Sequence, residues 1–365
     1  MVEVTNYIDR LVAELCPDGV DFYTIDELIT LEFGTRITKS KDAGTIYPVY
    51  GGGGASFRTD NYNREDKYVV SRFAMSEKCV RYVSGKFWML DSGFTYSVKD
   101  ESLLSYKYIS YWLLNAQQEI YACSSQSAQR NLKTADFKRF EVPVPPMEIQ
   151  EAIVEILDKF TNLEAELEAE LEARTLQYEY YRDSLFEALD CPRVSLDSFA
   201  KIKNGKTYKD FGAGNIPVYG SGGIMTYVDR FAYDKPTVLI PRKGSLGNLF
   251  YLEEPFWNVD TIFYTEIDEE QVIPKFLYYF LKTAHLEDLN TAGGVPSLTQ
   301  KVLNKVLIPV PSLEEQQRIV DILDRFDALT SSLSEGLPAE LAARRSQYEY
   351  YRDQLLSFPR MGENQ

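Results

Sequence analysis

One long helix-forming segment occurs twice in this chain of 365 residues. The first copy spans residues 142–186 and the second spans residues 308–356. Both copies begin with Pro-x-Pro, continue through Ile-Val-x-Ile-Leu-Asp and end in Gln-Tyr-Glu-Tyr-Tyr-Arg-Asp. A repeat of this length predicts two equivalent structural units.

Apolar residues in both copies follow the pattern of paired helices. They recur at alternating steps of four and three residues, which places them on one helix face. A solvated charged helix is the alternative, but it would not carry an unbroken apolar stripe. We therefore predict that these residues pack in a helix–helix seam: Ile149, Ile153, Ile156, Phe160, Leu163 and Leu167 in the first copy, and Ile319, Ile322, Phe326, Leu329 and Leu333 in the second.

The two copies have clear start signals but differ in length. Pro146 fits the first helical turn, and Ser312 with Glu315 predicts a capping box. The second copy has four extra residues in a segment that contains Gly336 and Pro338, where we expect the helix to break. The first copy is predicted to be unbroken, and about 42 helical residues would extend roughly 63 Å.

The first copy also contains a tandem tetrapeptide, Glu-Ala-Glu-Leu, at residues 164–167 and 168–171. At about 1.5 Å per residue, one such unit adds roughly 6 Å to a helix. The repeat therefore indicates a spacer.

The regions between the helical copies, residues 20–141 and 193–307, are related to each other. Each has short strand-like runs separated by Gly, Asn and Asp turns, and each ends in a helical pattern, at residues 107–121 and 274–289. Both contain Pro-Val-Tyr-Gly-x-Gly-Gly and Phe-Trp-x-x-Asp but diverge strongly between these landmarks. We predict two mixed α/β domains with one scaffold and different surfaces.

The two ends of the chain are predicted to meet in space. Residues 4–15 form an amphipathic pattern that ends at Cys-Pro, as the first helical copy does, so this fragment would complete the second copy. The predicted parts are an N-terminal helix at 1–16, domains at 17–145 and 191–311, conserved helices at 146–190 and 312–358, and a disordered tail at 359–365.

The net charge of −16 is concentrated on the helical copies. Residues 146–190 contain 3 basic and 13 acidic residues, and residues 312–365 contain 6 and 10. Residues 1–145 contain 17 basic and 19 acidic residues, and residues 191–311 contain 13 of each. Both domains thus retain enough cations for a nucleic-acid-binding face, and the overall charge does not decide the function.

Several classes of protein and site are disfavoured. The sequence has no apolar run of about 18 residues and no signal-peptide core, so we expect a cytoplasmic protein without a membrane span. Four scattered cysteines and the single His285 give no zinc pattern, and residues 204–207 lack the upstream glycine of a phosphate-binding loop. We predict no catalytic residue and no metal site, and a structural role for His285 within a helical pattern.

Together these features resemble the specificity subunit of type I restriction–modification systems. The resemblance rests on the two Pro-x-Pro entries, the following Glu-Ile-Gln and Glu-Glu-Gln, the Ile-Val-x-Ile-Leu-Asp cores and the glycine loops. It covers nearly the whole chain. It implies two target recognition domains, each for one half of a bipartite double-stranded DNA sequence, separated by a long antiparallel two-helix coiled coil with pseudo-two-fold symmetry.

The resemblance also implies partners. Two methyltransferase subunits would dock on the conserved helices, and restriction subunits would join that assembly. S-adenosylmethionine, ATP and magnesium would serve those partners, whereas this chain would hold no cofactor and perform no catalysis. One motif departs from the family: Arg242 begins a sequence similar to Arg-x-Gly-Ser-x-Gly, but the first domain keeps only Arg72 of it. A role for that turn in the first domain is therefore unsupported.

Candidate DNA contacts are Arg, Lys, Asn, Gln and Ser residues in predicted loops, because these side chains can hydrogen-bond base edges or phosphates. The glycine loops could contact the DNA backbone, but simple strand-ending turns are favoured. The candidates are Arg36, Lys39, Arg58, Asn61, Arg64, Arg72, Gln129 and Arg130 in the first domain, and Lys203, Lys206, Ser221, Arg230, Arg242, Lys243 and Asn248 in the second.

The sequence thus predicts a non-catalytic DNA specificity subunit. One alternative is a coiled-coil scaffold whose two domains bind protein or glycan, and binding to DNA across a range of salt concentrations would separate the two. A self-contained enzyme is the other alternative, and methyl transfer by the isolated chain would reveal it.

Overall fold

The repeated segment forms the long helices of the structure, a computed structural model that describes residues 2–125, 129–290, 296–330 and 336–362. The first copy is a single 41-residue helix, Met147–Glu187. The second copy is two helices, Leu313–Thr330 and Gly336–Leu355. Gly336 has φ of 78°, and a Cβ there would lie 2.5 Å from the carbonyl oxygen of Ala328. The prediction of an unbroken first copy and an interrupted second copy is confirmed.

The chain divides into two compact units, Met1–Glu166 with Leu341–Gln365, and Leu167–Glu340. The elements before the long helix are α1 (Val2–Leu15), β1 (Asp21–Thr24), α2 (Ile25–Leu28), β2 (Ile29–Phe33), α3 (Lys39–Asp42), β3 (Tyr47–Gly51), β4 (Gly54–Thr59), β5 (Arg64–Ser71), β6 (Val80–Met89), β7 (Gly93–Val98), α4 (Tyr106–Asn115), α5 (Gln117–Ala122), α6 (Thr134–Phe137) and β8 (Glu141–Val144), and the long helix is α7 (Met147–Glu187). 

The elements after it are β9 (Arg193–Ser195), a 3-10 turn (Leu196–Ser198), β10 (Ala200–Asn204), β11 (Ile216–Gly220), β12 (Gly223–Val228), β13 (Thr237–Pro241), β14 (Phe250–Leu252), β15 (Trp257–Asn258), β16 (Ile262–Ile267), α8 (Pro274–Thr283), a second 3-10 turn (Leu286–Leu289), α9 (Gln300–Leu303), β17 (Leu307–Pro309), α10 (Leu313–Thr330) and α11 (Gly336–Leu355). The prediction of two mixed α/β domains associated with long conserved helices is confirmed.

The first domain is built on a six-stranded sheet in the order β2–β7–β5–β6–β3–β4, and β1 pairs separately with β8. Most neighbours are antiparallel, but β3 and β6 run parallel. Apolar side chains of β7 and α4 are fully buried in one core, among them Phe94, Tyr96 and Tyr108. Removing these large rings from water stabilises the domain.

The second domain has the same strand arrangement in two pieces, β10–β16–β13–β14 and β12–β11–β15. The first domain joins the corresponding pieces through its ten-residue strand β6. In the second domain this strand is divided into β14 and β15, and Pro255 lies between them. Proline has no N–H for a ladder hydrogen bond, which explains the division.

Each unit contains a pair of long helices that meet through the same aromatic contacts. In the first unit Phe160 stacks on Tyr351 at 5.8 Å with a 28° interplanar angle, and in the second unit Phe326 stacks on Tyr181 at the same distance and angle. One turn further along α7 in the first unit, Glu164 accepts a hydrogen bond of 2.6 Å from Arg345. Because residue numbers rise along α7 while they fall along α11, this pair is antiparallel.

The seam residues fall into two groups. Ile149, Ile153 and Ile319 are fully buried in the cores of their own domains, together with Leu157 and Leu323, which the heptad pattern did not single out. Ile156, Phe160, Leu163 and Ile322 are partly buried, Leu167 is buried, and Leu329 is exposed. Leu333 lies outside the described residues. The first turns of each helical copy therefore pack on the domains.

The starts of α7 and α10 in the structure differ in detail from their predictions. Pro146 precedes the first residue of α7, and its carbonyl accepts from the backbone N–H of Ile149 at 2.9 Å. The capping box before α10 is only half formed: Ser312 Oγ accepts from the N–H of Glu315 at 3.3 Å, but the Glu315 carboxylate accepts two hydrogen bonds from Arg318 instead of reaching back. An arginine three residues ahead competes successfully for that carboxylate.

The chain termini meet as predicted, and this contact corrects the predicted disordered tail. Val20 forms a parallel bridge with Arg360, and its N–H donates to the carbonyl of Pro359 at 3.0 Å. The Arg360 guanidinium lies over the ring of Phe22 and also pairs with Glu141. Residues 359–362 are therefore structured, and residues 363–365 lie outside the described part of the chain.

His285 also differs from its prediction. It is not within a helix but follows the end of α8 with φ of 42°, in the left-handed region, and it is exposed. The helical pattern of residues 274–289 is interrupted at this residue.

Candidate nucleic-acid interface

Loops of the first domain converge where several strands of its sheet end. Ser92, in the turn between β6 and β7, lies at the centre of this junction. Its carbonyl accepts from the backbone N–H groups of Arg72 at 2.9 Å and Phe73 at 3.0 Å, and its Oγ accepts from the N–H of Gly52 at 3.1 Å. Ser92 thereby joins the loop after β5 to the glycine hairpin between β3 and β4.

Thr261 has the same place in the second domain. Its carbonyl accepts from the N–H groups of Arg242 at 2.8 Å and Lys243 at 3.2 Å, and its Oγ1 accepts from the N–H of Ser221 at 3.3 Å. We refer to the contacts around Ser92 and around Thr261 as the loop junctions. Sequence reasoning missed both residues, although each directly follows the shared Phe-Trp-x-x-Asp landmark.

The glycine hairpins are tight turns pressed against these junctions. Gly54 and Gly223 have φ of 120° and 112°, which favours glycine. A Cβ on Gly52 would lie 1.9 Å from the carbonyl oxygen of Phe73, so the hairpin backbone directly contacts the loop after β5. The sequence-based preference for a structural turn agrees with this geometry.

The first domain secures its hairpin with Arg81, which the sequence did not single out. Arg81 Nη2 donates to the carbonyl of Gly52 at 2.5 Å, to the carbonyl of Gly51 at 3.1 Å and to Ser71 Oγ at 3.1 Å. Burial lowers the pKa of the Arg81 guanidinium from its ordinary value. In the second domain Asn248 Nδ2 donates to the carbonyl of Ser221 at 3.2 Å.

Arg72 and Arg242 begin equivalent loops despite the missing Gly-Ser-x-Gly sequence. Ala74 has φ of 49° where the second domain has Gly244 with φ of 85°. The carbonyl of Arg72 accepts from Leu132, as that of Arg242 accepts from Leu298, both at 2.8 Å. The left-handed turn is thus present in both domains, although its sequence is recognisable only in the second.

The arginine side chains of these loops are held by aromatic rings. The Arg72 guanidinium lies 5.1 Å from the ring of Phe33 and 4.7 Å from that of Phe73. Arg242 lies 5.8 Å from the ring of Phe263. Stacking of this kind restrains a guanidinium and leaves its edge available for hydrogen bonds.

A second loop in each domain is anchored by tryptophan. Trp88 Nε1 donates to the carbonyl of Thr35 at 2.8 Å, and Trp257 Nε1 donates to the carbonyl of Lys206 at 2.9 Å. Arg36 follows the first anchor, and its side chain is exposed, as is that of Lys206. These anchors place cations on loops that leave β2 and β10.

The remaining candidates differ in how fully their polar atoms are occupied. Arg64 donates to Thr95, Asn63, Glu32 and Phe33, and Lys203 pairs with Glu266 at 3.1 Å, so these two are the weakest candidates. Arg58 donates to the carbonyl of Ile46, Arg130 lies over Tyr121, and Arg230 lies over Phe211. Among these remaining candidates the exposed ones are Lys39, Arg58, Asn61, Gln129, Arg230, Lys243 and Asn248.

The edge strands β4 and β12 show how the two domains differ. Their residues follow the same burial pattern, but β4 exposes Ala55, Ser56 and Arg58, whereas β12 exposes larger apolar side chains. The exposed apolar residues of β12 are Ile224, Met225 and Tyr227, and Phe231 is exposed just beyond the strand. The sequence analysis did not predict any of them as site residues. One backbone scaffold therefore presents a polar edge in one domain and an apolar edge in the other.

The chemistry of both loop junctions suits binding more than catalysis. They offer guanidinium, ammonium and amide donors, which match phosphates and base edges. Among the residues that the structure describes, no cluster of three His, Cys, Asp or Glu side chains could hold a metal ion. None of the described helices is long and apolar enough to cross a membrane.

Comparison with known proteins identifies what this arrangement is similar to. A sequence model described as the type I restriction modification DNA specificity domain matches the chain twice, over residues 17–173 and 190–343. The EcoR124I/EcoR124II type I restriction enzyme specificity subunit of Escherichia coli is 30% identical over 404 residues, which cover 97% of this chain and 98% of that protein. A Haemophilus influenzae protein, provisionally named as a type I restriction enzyme specificity subunit, is 28% identical and covers 93% of this chain and 96% of its own.

A solved structure shares the fold. The type I restriction–modification S subunit from M. genitalium superimposes with a TM-score of 0.61 at 23% identity, over 93% of this chain and 96% of that one.

Proposed function

The chain belongs to the family of type I restriction–modification DNA specificity proteins, and from this membership we propose that it is the specificity subunit of such a system. It selects the DNA sequence, and its role is distinct from the catalytic roles in the complex. Each domain recognises one half of a bipartite target. The observation that carries this proposal is the duplicated loop junction, which has the same backbone contacts around Ser92 and Thr261 but different surrounding side chains.

Residues within each domain are assigned different roles according to whether the equivalent position of the other domain has the same residue. Phosphate contacts fix position, and base contacts carry sequence information. Arg72 and Arg242 occupy equivalent positions, so we assign them to features common to both half-sites. Residues that differ between equivalent positions, such as Arg58 and Tyr227, are better suited to read different bases.

We propose that two methyltransferase subunits dock on the conserved helices and that restriction subunits join the assembly. Support comes from an exposed tyrosine at the same position of the repeated Gln-Tyr-Glu-Tyr-Tyr-Arg-Asp motif in each copy. Tyr180 is 70% exposed and Tyr350 is 58% exposed. Large exposed aromatic side chains are common at protein–protein interfaces. The complex would act in the cytoplasm, where its DNA target is accessible.

We further propose that α7 sets the spacing between the two half-sites. Deleting residues 168–171 removes one tetrapeptide and shortens the helix by roughly 6 Å. At about 3.4 Å per base pair, the expected target has a central gap shorter by about two base pairs. Sequencing of modified sites in cells that express the deletion variant with its partners measures this gap, and an unchanged gap would refute the spacer role.

Binding of the complete complex to DNA tests the proposed function itself. We expect affinity for genomic DNA fragments to fall steeply between about 50 and 200 mM salt, because phosphate contacts release counterions. Titration of the complex with the methyltransferase subunit, by fluorescence anisotropy at several salt concentrations, measures this slope. Salt-independent or undetectable binding would favour a scaffold for protein or glycan ligands instead.

A further inference from the structure

Each helical copy contains a glutamine, at the end of Glu-Ile-Gln or Glu-Glu-Gln, and an aspartate, at the end of Ile-Val-x-Ile-Leu-Asp. Packing of apolar residues in a helix seam does not explain these polar residues. Asp158 ends the first Ile-Val-x-Ile-Leu-Asp sequence and points from α7 toward α4 of the first domain. It accepts a hydrogen bond from Tyr111 at 2.6 Å and pairs with Lys107 at 2.5 Å. Lys107 and Tyr111 are four residues apart and share one face of α4, so a single carboxylate engages both.

The second domain reproduces this arrangement. Asp324 accepts from Tyr279 at 2.5 Å and pairs with Lys275 at 2.8 Å, and both partners lie on α8. Burial and the hydrogen bond to Asp324 raise the pKa of Tyr279, and burial and Asp158 do the same for Tyr111. Both phenols therefore remain protonated donors at neutral pH.

A buried glutamine makes a second connection in each unit. Gln150 accepts from the N–H of Ser105 at 2.9 Å and donates to the carbonyls of Leu103 at 2.9 Å and Pro145 at 2.8 Å. Gln316 accepts from the N–H of Ile273 at 2.8 Å. It donates to the carbonyls of Gln271 and Pro311.

We propose that Gln150 with Asp158, and Gln316 with Asp324, are positioning residues that fix the angle at which each recognition domain sits on its conserved helix. We call each pair a latch, together with the partners of the aspartate on α4 or α8 and the partners of the glutamine in the segment just before that helix. The hydrophobic effect is non-directional, whereas hydrogen bonds at two points eight residues apart each require a particular distance and angle. The domains have diverged in sequence between their landmarks, yet both retain the full set of latch contacts.

The latches have a functional consequence that rests on the proposed function. A bipartite target is recognised at one spacing only if each domain is held rigidly on the helix that carries it. Loosening a latch leaves base contacts within a domain intact but lets that domain reach half-sites at neighbouring spacings. Spacing tolerance, rather than half-site identity, is therefore the property that these residues control.

A library of DNA targets tests this inference. The two half-sites of the wild-type target, mapped first by sequencing modified DNA, are placed at every spacing from about two base pairs too short to about two too long. Methylation of each plasmid is measured with wild-type complex and with Asp158→Asn/Asp324→Asn complex. We expect the wild type to prefer one spacing by at least tenfold, and the variant to reduce this preference to less than threefold.

Matched controls separate positioning from general loss of stability. Glu155→Gln/Asp321→Asn neutralises exposed carboxylates one turn earlier on the same helices, and we expect it to retain the wild-type spacing profile. Tyr111→Phe/Tyr279→Phe removes only the two hydroxyl groups and provides the test if the aspartate variant does not fold. A latch variant that methylates with the wild-type spacing preference would overturn the inference. Failure of the wild type to modify any specific sequence would instead overturn the proposed function.

Discussion

The two recognition domains have the same loop junction but secure it with different side chains. In the first domain Arg81 donates three hydrogen bonds to the glycine hairpin and Ser71, whereas in the second domain Phe250 occupies the equivalent strand position and Asn248 contacts the hairpin. The main-chain contacts to Ser92 and Thr261 are the same in both. Backbone hydrogen bonds therefore define the scaffold, and the side chains around it are free to diverge.

The largest expected effect tests whether the first domain requires a glycine, without a side chain, at position 52. Gly52→Ser introduces the residue found in the second domain, but its Cβ would lie 1.9 Å from the carbonyl oxygen of Phe73. We expect a loss of about 3 kcal/mol in stability, at the upper end for overpacking. Urea unfolding of the full chain, followed through the transition of the first domain, measures this loss. Gly53→Ser, where a Cβ has no neighbour within 4 Å, is the control. Equal stability of both variants would contradict the close contact.

Replacing Arg81 tests whether the first domain needs this side chain to hold its glycine hairpin. Arg81→Met leaves three oxygen acceptors without this donor, and we expect a loss of about 1.5 kcal/mol. Modification at the half-site of the first domain should weaken more than at the other half. Arg139→Met, on an exposed arginine of the first domain that is not among the DNA candidates, serves as the matched control and should cost less than about 0.5 kcal/mol. A cost for Arg81→Met no larger than this control would show that the hairpin does not depend on Arg81.

The smallest effect concerns the left-handed turn. Ala74→Gly should stabilise the first domain by about 0.5 kcal/mol, because relief of the positive φ exceeds the entropy added to the unfolded chain. Gly244→Ala should destabilise the second domain. Thermal unfolding of both variants measures the pair, and a destabilising Ala74→Gly would contradict an equivalent turn in the two domains.

Periodicity and repetition predicted much of this fold. The long helices, the break in the second copy and the meeting of the chain ends all follow from local patterns that recur in the sequence. The tail at residues 359–362 was mispredicted because its order comes from a bridge to Val20, far away in sequence. Nothing local to a short polar segment reveals such a partner.

The candidate interface was less predictable, for a physical reason. The sequence shows that a loop residue is a cation but not whether its hydrogen-bond donors face solvent or are used within the domain. Arg64 and Lys206 were therefore predicted as DNA contacts on the same grounds. The structure places Arg64 in four internal hydrogen bonds, whereas the Lys206 side chain is exposed. Ser92 and Thr261 were overlooked because their importance lies in backbone contacts between loops, which residue type alone does not encode.

Exchange of one domain tests the central claim most directly. Residues 20–141 are replaced by the corresponding residues of the Escherichia coli relative, and modified sites are sequenced in cells that express the chimera or the wild type with the same partner subunits. Independent recognition by two domains predicts that one half of a bipartite target changes while the other half is retained. A target in which both halves change, or in which no two-part sequence is found, would contradict it.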